Sequence, residues 1–189
     1  LMSAPSLDTA RDHAESVISA ALANPAKRPV VKSFFDEATF TVSHVVHDPS
    51  TKKAALIDSV LDFDPPSGRT SHASADALVA YVEAEDLTIE WLLETHAHAD
   101  HLSAAPFIKA KTGATIGIGA HIRDVQKIFR PVFGMDDLKT DGSDFDDLFE
   151  DGETFTIGSL NVEVLHVPGH TPADVAYKIE DAVFVGDTL

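Results

Sequence analysis

The spacing of apolar residues changes character twice along the chain. Leu7, Ala10, Ala14, Val17, Ile18 and Ala21 recur at helical intervals and predict a helix over 7–22, ended by Asn24-Pro25. The stripe is weak, so residues 1–29 read as an N-terminal arm and 30–189 as the domain. From Val30 the pattern turns to strands: Thr39 to Val46, then Lys53 to Asp58, joined by the turn Asp48-Pro49-Ser50. A Pro/Gly/Ser loop is expected from Asp62 to Ser71, and a helix from Ser74 to Glu85 with Ala77, Leu78, Tyr81 and Val82 inward. Ile89 to Leu93 is a short apolar run with little alternation, as in a strand covered on both faces. A helix over 101–111, a strand from Thr115 to Ile118 and a helix from Ala120 to Phe129 follow. Beyond a loop-like stretch at 131–152 the chain predicts strands alone: Glu153 to Ile157, Leu160 to Val167, Asp174 to Ile179 and Ala182 to Val185. Helices and strands alternate first and strands accumulate later, which predicts a layered α/β or α+β sandwich. The late strands have no following helix to cover them, so either the domain is shortened or a partner covers that face.

Composition narrows the function. Lys and Arg number 14 against 31 Asp and Glu, a formal charge of −17. Such a surface repels phosphate backbones and anionic membranes, so neither nucleic acid nor membrane is expected as a partner. No run reaches the roughly 18 apolar residues of a membrane span. Residues 1–28 lack the basic start and apolar core of a secretory signal, so a cytoplasmic protein is the expectation. There is no cysteine, which excludes disulfides, thiolate metal sites and a cysteine nucleophile. The acidic stretch from Asp136 to Asp151 does not follow the residue order of a calcium-binding loop and reads as a solvated excursion.

The informative segment is Thr95-His96-Ala97-His98-Ala99-Asp100-His101, which directly follows the buried strand. Imidazole and carboxylate donors suit zinc, iron or manganese. The spacing is too tight for one helix face, so a loop wrapping a metal and leading into a helix near Asp100 is expected. His170 sits in Pro168-Gly169-His170-Thr171-Pro172, a sharp turn at a strand end. His166, on the strand itself, reads as an ordinary structural histidine. Asp187, in Gly186-Asp187-Thr188, ends the last apolar strand, where a carboxylate needs a partner or a metal. Three distant segments thus each end a strand with His or Asp, the layout of a site held by a rigid sheet.

These motifs, in this order, resemble the metallo-β-lactamase-fold superfamily, and the resemblance runs from about Lys32 to Leu189. Within it the chain most resembles the persulfide dioxygenases (sulfur dioxygenases), including the bacterial β-lactamase-hydrolase-like proteins. The resembling text includes Phe34-Phe35-Asp36-Glu37-Ala38-Thr39-Phe40-Thr41, Val45-Val46-His47-Asp48-Pro49, Glu94 through Ala105, Val167 through Ala173 and Val185 through Leu189. The resemblance implies an α+β four-layer αββα sandwich with the site at one edge of the paired sheets. It implies one Fe(II) held by His96, His170 and Asp187, the two-histidine, one-carboxylate set of non-haem oxygenases. His98, Asp100 and His101 then orient ligands, or hold a second metal if the site is a two-zinc one. The implied reaction is oxidation of a persulfide such as glutathione persulfide to sulfite and thiol with O2.

The family's further strand, helices and last histidine ligand have no counterpart before Leu189, so an incomplete fold, weakly active or inactive by itself, is expected. Two other functions use the same motifs: a two-metal thioester hydrolase of glyoxalase II type, and a non-catalytic module acting through a partner. An assembly of identical chains is expected. Arg123, Lys127 and Arg130, with Lys109 and Lys111, are the only local basic set. They could draw in an anionic thiol, although an ordinary charged helix face is the simpler reading. No substrate-binding residue is legible.

Overall fold

A computed structural model of the chain describes residues 27–188 together with the helical positions Glu15, Ser16 and Ser19. The rest of the helix expected over 7–22 lies outside the described residues.

Two sheets face one another. The first has six strands: β1 (Val30–Asp36), β2 (Thr41–His47), β3 (Lys53–Ile57), β6 (Thr88–Leu93), β8 (Thr115–Gly119) and β9 (Asp147–Phe149), adjacent in that order. β1 to β3 are antiparallel, and β3, β6, β8 and β9 run parallel. Parallel neighbours need crossovers. These are supplied in turn by a segment ending in helix α1 (Ala73–Ala84), by α2 (Ala105–Thr112) and by α3 (Ile122–Val132). The second sheet is a simple antiparallel meander: β10 (Thr154–Ile157), β11 (Leu160–His166), β12 (Val175–Ile179) and β13 (Ala182–Phe184). A short 3-10 turn, Gly186–Thr188, follows.

Alternation along the strands sorts the core into two layers. Val46, Ala55, Ile57 and Leu93 point from the first sheet toward Val162, Val164, Tyr177 and Ile179 of the second. Their neighbours Val45, Leu56, Leu92 and Ile116 point the other way, onto Leu78 and Val82 of α1 and Ile108 of α2. Both faces of the central strands are therefore apolar, which is why Ile89 to Leu93 shows so little alternation. Thr154, Thr156, Asn161, Glu163 and Lys178 occupy the outer face of the second sheet, all exposed or half-exposed. The helical cover expected there is not formed by the described residues, so three of the four expected layers are seen.

Four local expectations change. The stretch expected as a loop from Asp62 to Ser71 contains a hairpin: β4 (Val60–Asp64) turns at Pro65-Pro66-Ser67-Gly68 into β5 (Arg69–Ser71). The helix expected from residue 101 begins at Ala105, because Leu102–Ser103 forms a short strand, β7, paired with β4. The acidic excursion contains β9, whose Phe149 is buried between the sheets. In α1 the buried stripe is Ala75, Leu78 and Val82, and Ala77 is exposed.

Asp48 fastens the two sheets at one end. It is fully buried, yet five donors reach its carboxylate. The Ser50 amide and hydroxyl and the Thr51 hydroxyl come from its own turn, and the Ser159 amide and hydroxyl come from the β10–β11 turn. Gly158 permits this contact. It has φ +58°, and a Cβ there would lie 2.7 Å from the Asp48 carboxylate. Burial alone would raise the Asp48 pKa, but the bonds from Ser159 and Ser50 outweigh it and hold the carboxyl well below its ordinary 3.8. A depressed folded-state pKa contributes stability above the unfolded value that is lost as pH falls toward the folded one. Asp48→Asn is therefore expected to lower the unfolding free energy by about 2 kcal/mol at neutral pH. In urea titrations the gap from wild type should narrow steadily below about pH 4. An equal gap at both pH values would remove the charge from the explanation.

Candidate metal centre

β3 and β6 lie side by side and end together, and the site grows from their C-terminal ends. Asp58 follows β3 and adopts φ +52°. Its carboxylate accepts the Thr95 amide at 2.8 Å and the Thr95 hydroxyl at 2.9 Å. The Thr95 hydroxyl has one proton, already given to Asp58. It can therefore only accept from His96 Nδ1, 3.0 Å away. That leaves His96 Nε2 with its lone pair, buried and without a hydrogen-bond partner.

Asp187 Oδ2 lies 3.8 Å from His96 Nε2 and 3.7 Å from His170 Nε2. The three donor atoms fall within 4.8 Å of one another. His170 projects from the β11–β12 loop, which is tied down by the Thr171 amide donating to the buried Asp174 carboxylate at 2.8 Å. The Val175 amide then donates to the Thr95 carbonyl, joining this loop to the histidine cluster. Asp187 arrives from the turn after β13. Gly186 there has φ +54°, and a Cβ would lie 2.4 Å from the Thr95 hydroxyl, so only glycine lets the turn approach so closely.

The other three cluster residues form a second grouping, His98, Asp100 and His101. The His98 ring lies between His96 and His101, with centroid separations of 4.0 and 4.1 Å. His101 Nδ1 has the Asp100 carboxylate at 3.4 Å and the Thr41 hydroxyl of β2 at 3.2 Å. Its Nε2 is buried and unpartnered, like that of His96. His98 Nε2 instead points away from both, to Asp58 at 3.1 Å and Glu94 at 3.4 Å. The other Glu94 oxygen accepts from the Ser103 hydroxyl. Asp100 therefore sits in the loop, held by Thr41, and does not start a helix.

The charges divide cleanly. Burial and then the His98 charge lower the pKa of both His96 and His101, which favours the neutral imidazole that binds metals. Burial would also lower His98, but its bonds to Asp58 and Glu94 prevail and raise it to about 10. Burial raises Glu94, whereas at Asp58 the bonds from His98 and Thr95 overcome burial and lower it. Two buried imidazole nitrogens with free lone pairs, each beside a carboxylate, fit a metal ion. They would be poor design for a site without one.

A cavity of about 430 Å³ lined by Thr39, Leu61, Phe63 and His101 opens beside the second grouping. Another of about 350 Å³, lined by Phe40, His44, Phe184 and Asp187, opens beside the first. The basic set is engaged elsewhere: Lys109 with Asp146, Lys111 with Asp76, Lys127 with Asp124, and Arg123 and Arg130 with the carbonyls of Asp141 and Asp136. The ordinary charged face is thus the better reading of it. His166 bonds the Pro172 carbonyl at 2.9 Å and stacks on His121, away from the donor groups.

A family model described as the metallo-beta-lactamase superfamily matches residues 37–189. The chain belongs to the metallo-beta-lactamase superfamily. It is 51% identical over 161 residues to a beta-lactamase hydrolase-like protein of Agrobacterium fabrum, covering 85% of this chain and 37% of that protein. It is 49% identical over 175 residues to Glyoxylase B2 of Dictyostelium discoideum, covering 89% and 58%. Among solved structures, ETHE1 from Myxococcus xanthus superposes with a TM-score of 0.65 at 26% identity, covering 82% of this chain and 56% of that one. The chain thus spans about two fifths to three fifths of the length of these relatives.

Sequence reasoning missed the groups that hold the candidate site in place: Asp58, Thr41 and the side chain of Glu94. Asp58 ends an apolar strand as Asp187 does, so the same signal was available. Thr41 gave none. No helix among the described residues is long and apolar enough to cross a membrane.

Proposed function

We propose that the chain carries the iron site of a persulfide dioxygenase, with His96, His170 and Asp187 as the ligands of one Fe(II). The overall change is persulfide plus O2 plus water giving thiol, hydrogen sulfite and a proton, the terminal sulfur losing the electrons that O2 gains. The observation that carries this reading is the set of two imidazole nitrogens and one carboxylate oxygen, with His96 Nε2 buried and otherwise unpartnered. Iron bound there supplies redox chemistry and coordination positions beyond its three protein ligands. The chain's own residues do the rest. Thr95 and Asp58 fix the tautomer and plane of His96. Gly186 brings Asp187 against the histidines, and the cavity bounded by Phe40 and Phe184 offers an apolar wall to the sulfur end of a small persulfide. A low-molecular-weight thiol pool belongs to a reducing compartment, so the enzyme is placed in the cytoplasm.

One observation favours a second reading. His101 Nε2 is also buried and unpartnered beside Asp100, as a second metal ligand would be in a thioester hydrolase. Zinc is the metal expected in that case. Oxygen uptake separates the two. Chain loaded anaerobically with Fe(II) is expected to consume O2 on addition of glutathione persulfide and to release sulfite. No uptake at full iron occupancy, with cleavage of a glutathione thioester by the zinc-loaded chain, would transfer the assignment to the hydrolase.

A further inference from the structure

The first sheet carries an open apolar strip along its β1 edge. Opposed residues of antiparallel strands share a face, so Val31, Ser33 and Phe35 of β1 lie beside Val46, His44 and Val42 of β2 on the face turned toward the second sheet. β13, the edge strand of the second sheet, meets β2 there: the Phe184 ring lies edge-on to His44 at 5.1 Å. Val31 and Phe35 lie beyond that contact and belong to neither core cluster. Val31 is 41% exposed, Phe35 59% and Val42 39%. Phe40, 79% exposed, adds its ring 6.4 Å from that of Phe35. Proteins normally cover or charge such an edge strand.

We propose that this strip is the docking site of the chain's own N-terminal segment, residues 7–22, laid along β1 as a helix. The path of the chain selects this occupant first. Arg28 is held by Asp181 at 3.3 Å, immediately before β13 begins at Ala182. The chain therefore enters the domain beside β13 and β1, the strands that border the strip. Residues 23–26 alone lie between the segment and the described domain, a reach of about 14 Å. Polarity agrees. Glu15, Ser16 and Ser19 are helical and exposed. At about 100° per residue they share one side of a helix, and Leu7, Ala10, Ala14, Val17, Ile18 and Ala21 share the opposite side. Length agrees too: a helix over 7–22 is about 24 Å long and β1 about 23 Å. The stripe is rich in alanine and would bind weakly as a separate molecule. A short tether gives it an effective concentration in the mM range, which a second copy, repelled at a charge of −17, does not reach. Docked there, the segment would also border the cavity beside Asp187, which Phe40, Val42 and Val183 line. The inference is independent of the reaction proposed above.

Thiol labelling of the full 189-residue chain tests it, because the sequence has no cysteine of its own. Ser33→Cys places a reporter on the strip between Val31 and Phe35, and Thr156→Cys places one on the exposed outer face of the second sheet. Adding Ile18→Asp, or Val17→Asp as an independent variant, is expected to speed maleimide reaction at Ser33→Cys by at least about 10-fold, the change for a segment docked nine-tenths of the time. Ser19→Asp, on the opposite side of the helix, should leave the rate unchanged, and none of the three should alter labelling at Thr156→Cys. Labelling at Ser33→Cys should also be the same at about 1 and 50 μM protein, since a tethered contact does not depend on concentration. Far-UV circular dichroism checks that each variant keeps its fold. Rates at Ser33→Cys that neither apolar-side substitution changes would overturn the proposal. So would an equal effect of Ser19→Asp, or protection that grows with concentration, which would assign the strip to a second copy.

Discussion

His170→Ala is expected to leave a folded chain that no longer retains metal. The side chain is 45% exposed and belongs to neither hydrophobic cluster of the core, its ring meeting that of His96 edge-on at 5.0 Å, so its loss is expected to have little effect on the fold. It supplies one of only three donors in the first grouping, and outer-sphere partners alone are commonly worth 10–100-fold in metal affinity, so a direct ligand is expected to exceed about 100-fold. Metal analysis after gel filtration should find one iron per chain in wild type and essentially none in the variant, with oxygen uptake lost in parallel. His101→Ala provides the contrast. In the single-iron reading it tunes the site and retains the ion. In the two-metal reading it strips the second ion. Two metals per chain in wild type, falling to one in His101→Ala, would sink the mononuclear assignment while leaving the family intact.

The contrast between His170 and His101 reflects what the sequence could and could not convey. Strands buried on both faces announced themselves as unbroken apolar runs, and the β10–β13 meander announced itself by alternation and by turns at Gly158-Ser159 and Glu180-Asp181. Elements that owe their form to a distant partner were not legible. β9 is three residues long and exists because it completes the edge beside β8, while its aspartates made it look like solvated loop. β7 is two residues long and exists through pairing with β4. The hairpin of β4 and β5 was hidden by the prolines and glycine of its own turn. The candidate ligands were readable because metal chemistry demands unusual residues at strand ends. Their supports were not, because Thr41 or Ser103 is an unremarkable residue until folding places it beside a histidine. The outward face of α3 belongs with these: helical spacing was plain, but which side turns inward was decided by Gln126 and the loop that binds it.

Asp58→Ala is expected to be the most destabilising single change at the centre. Asp58 is 5% exposed and takes no part in the grouping of His96, His170 and Asp187. Removing it leaves the Thr95 amide and hydroxyl without acceptors and the His98 ring beside Glu94 alone. Breaking one side of a buried charged network typically costs about 3–5 kcal/mol, and that loss is expected in urea unfolding of the metal-free chain. The effect should spread along the hydrogen bonds from Asp58 through Thr95 to His96. With the Thr95 hydroxyl released from Asp58, it is free to donate to His96 Nδ1, which would move the imidazole proton to Nε2 and cap the nitrogen that faces Asp187. Metal affinity should therefore fall as well, although no ligand has been touched. Asp187→Ala makes the opposite separation. Its side chain is 54% exposed, so metal-free stability should stay within about 0.5 kcal/mol of wild type while metal retention is lost. If Asp58→Ala unfolds within 1 kcal/mol of wild type, roughly the worth of one ordinary hydrogen bond, then Asp58 does not organise the histidine loop. The coupling of fold to metal would then have to run through Glu94 and Ser103 instead.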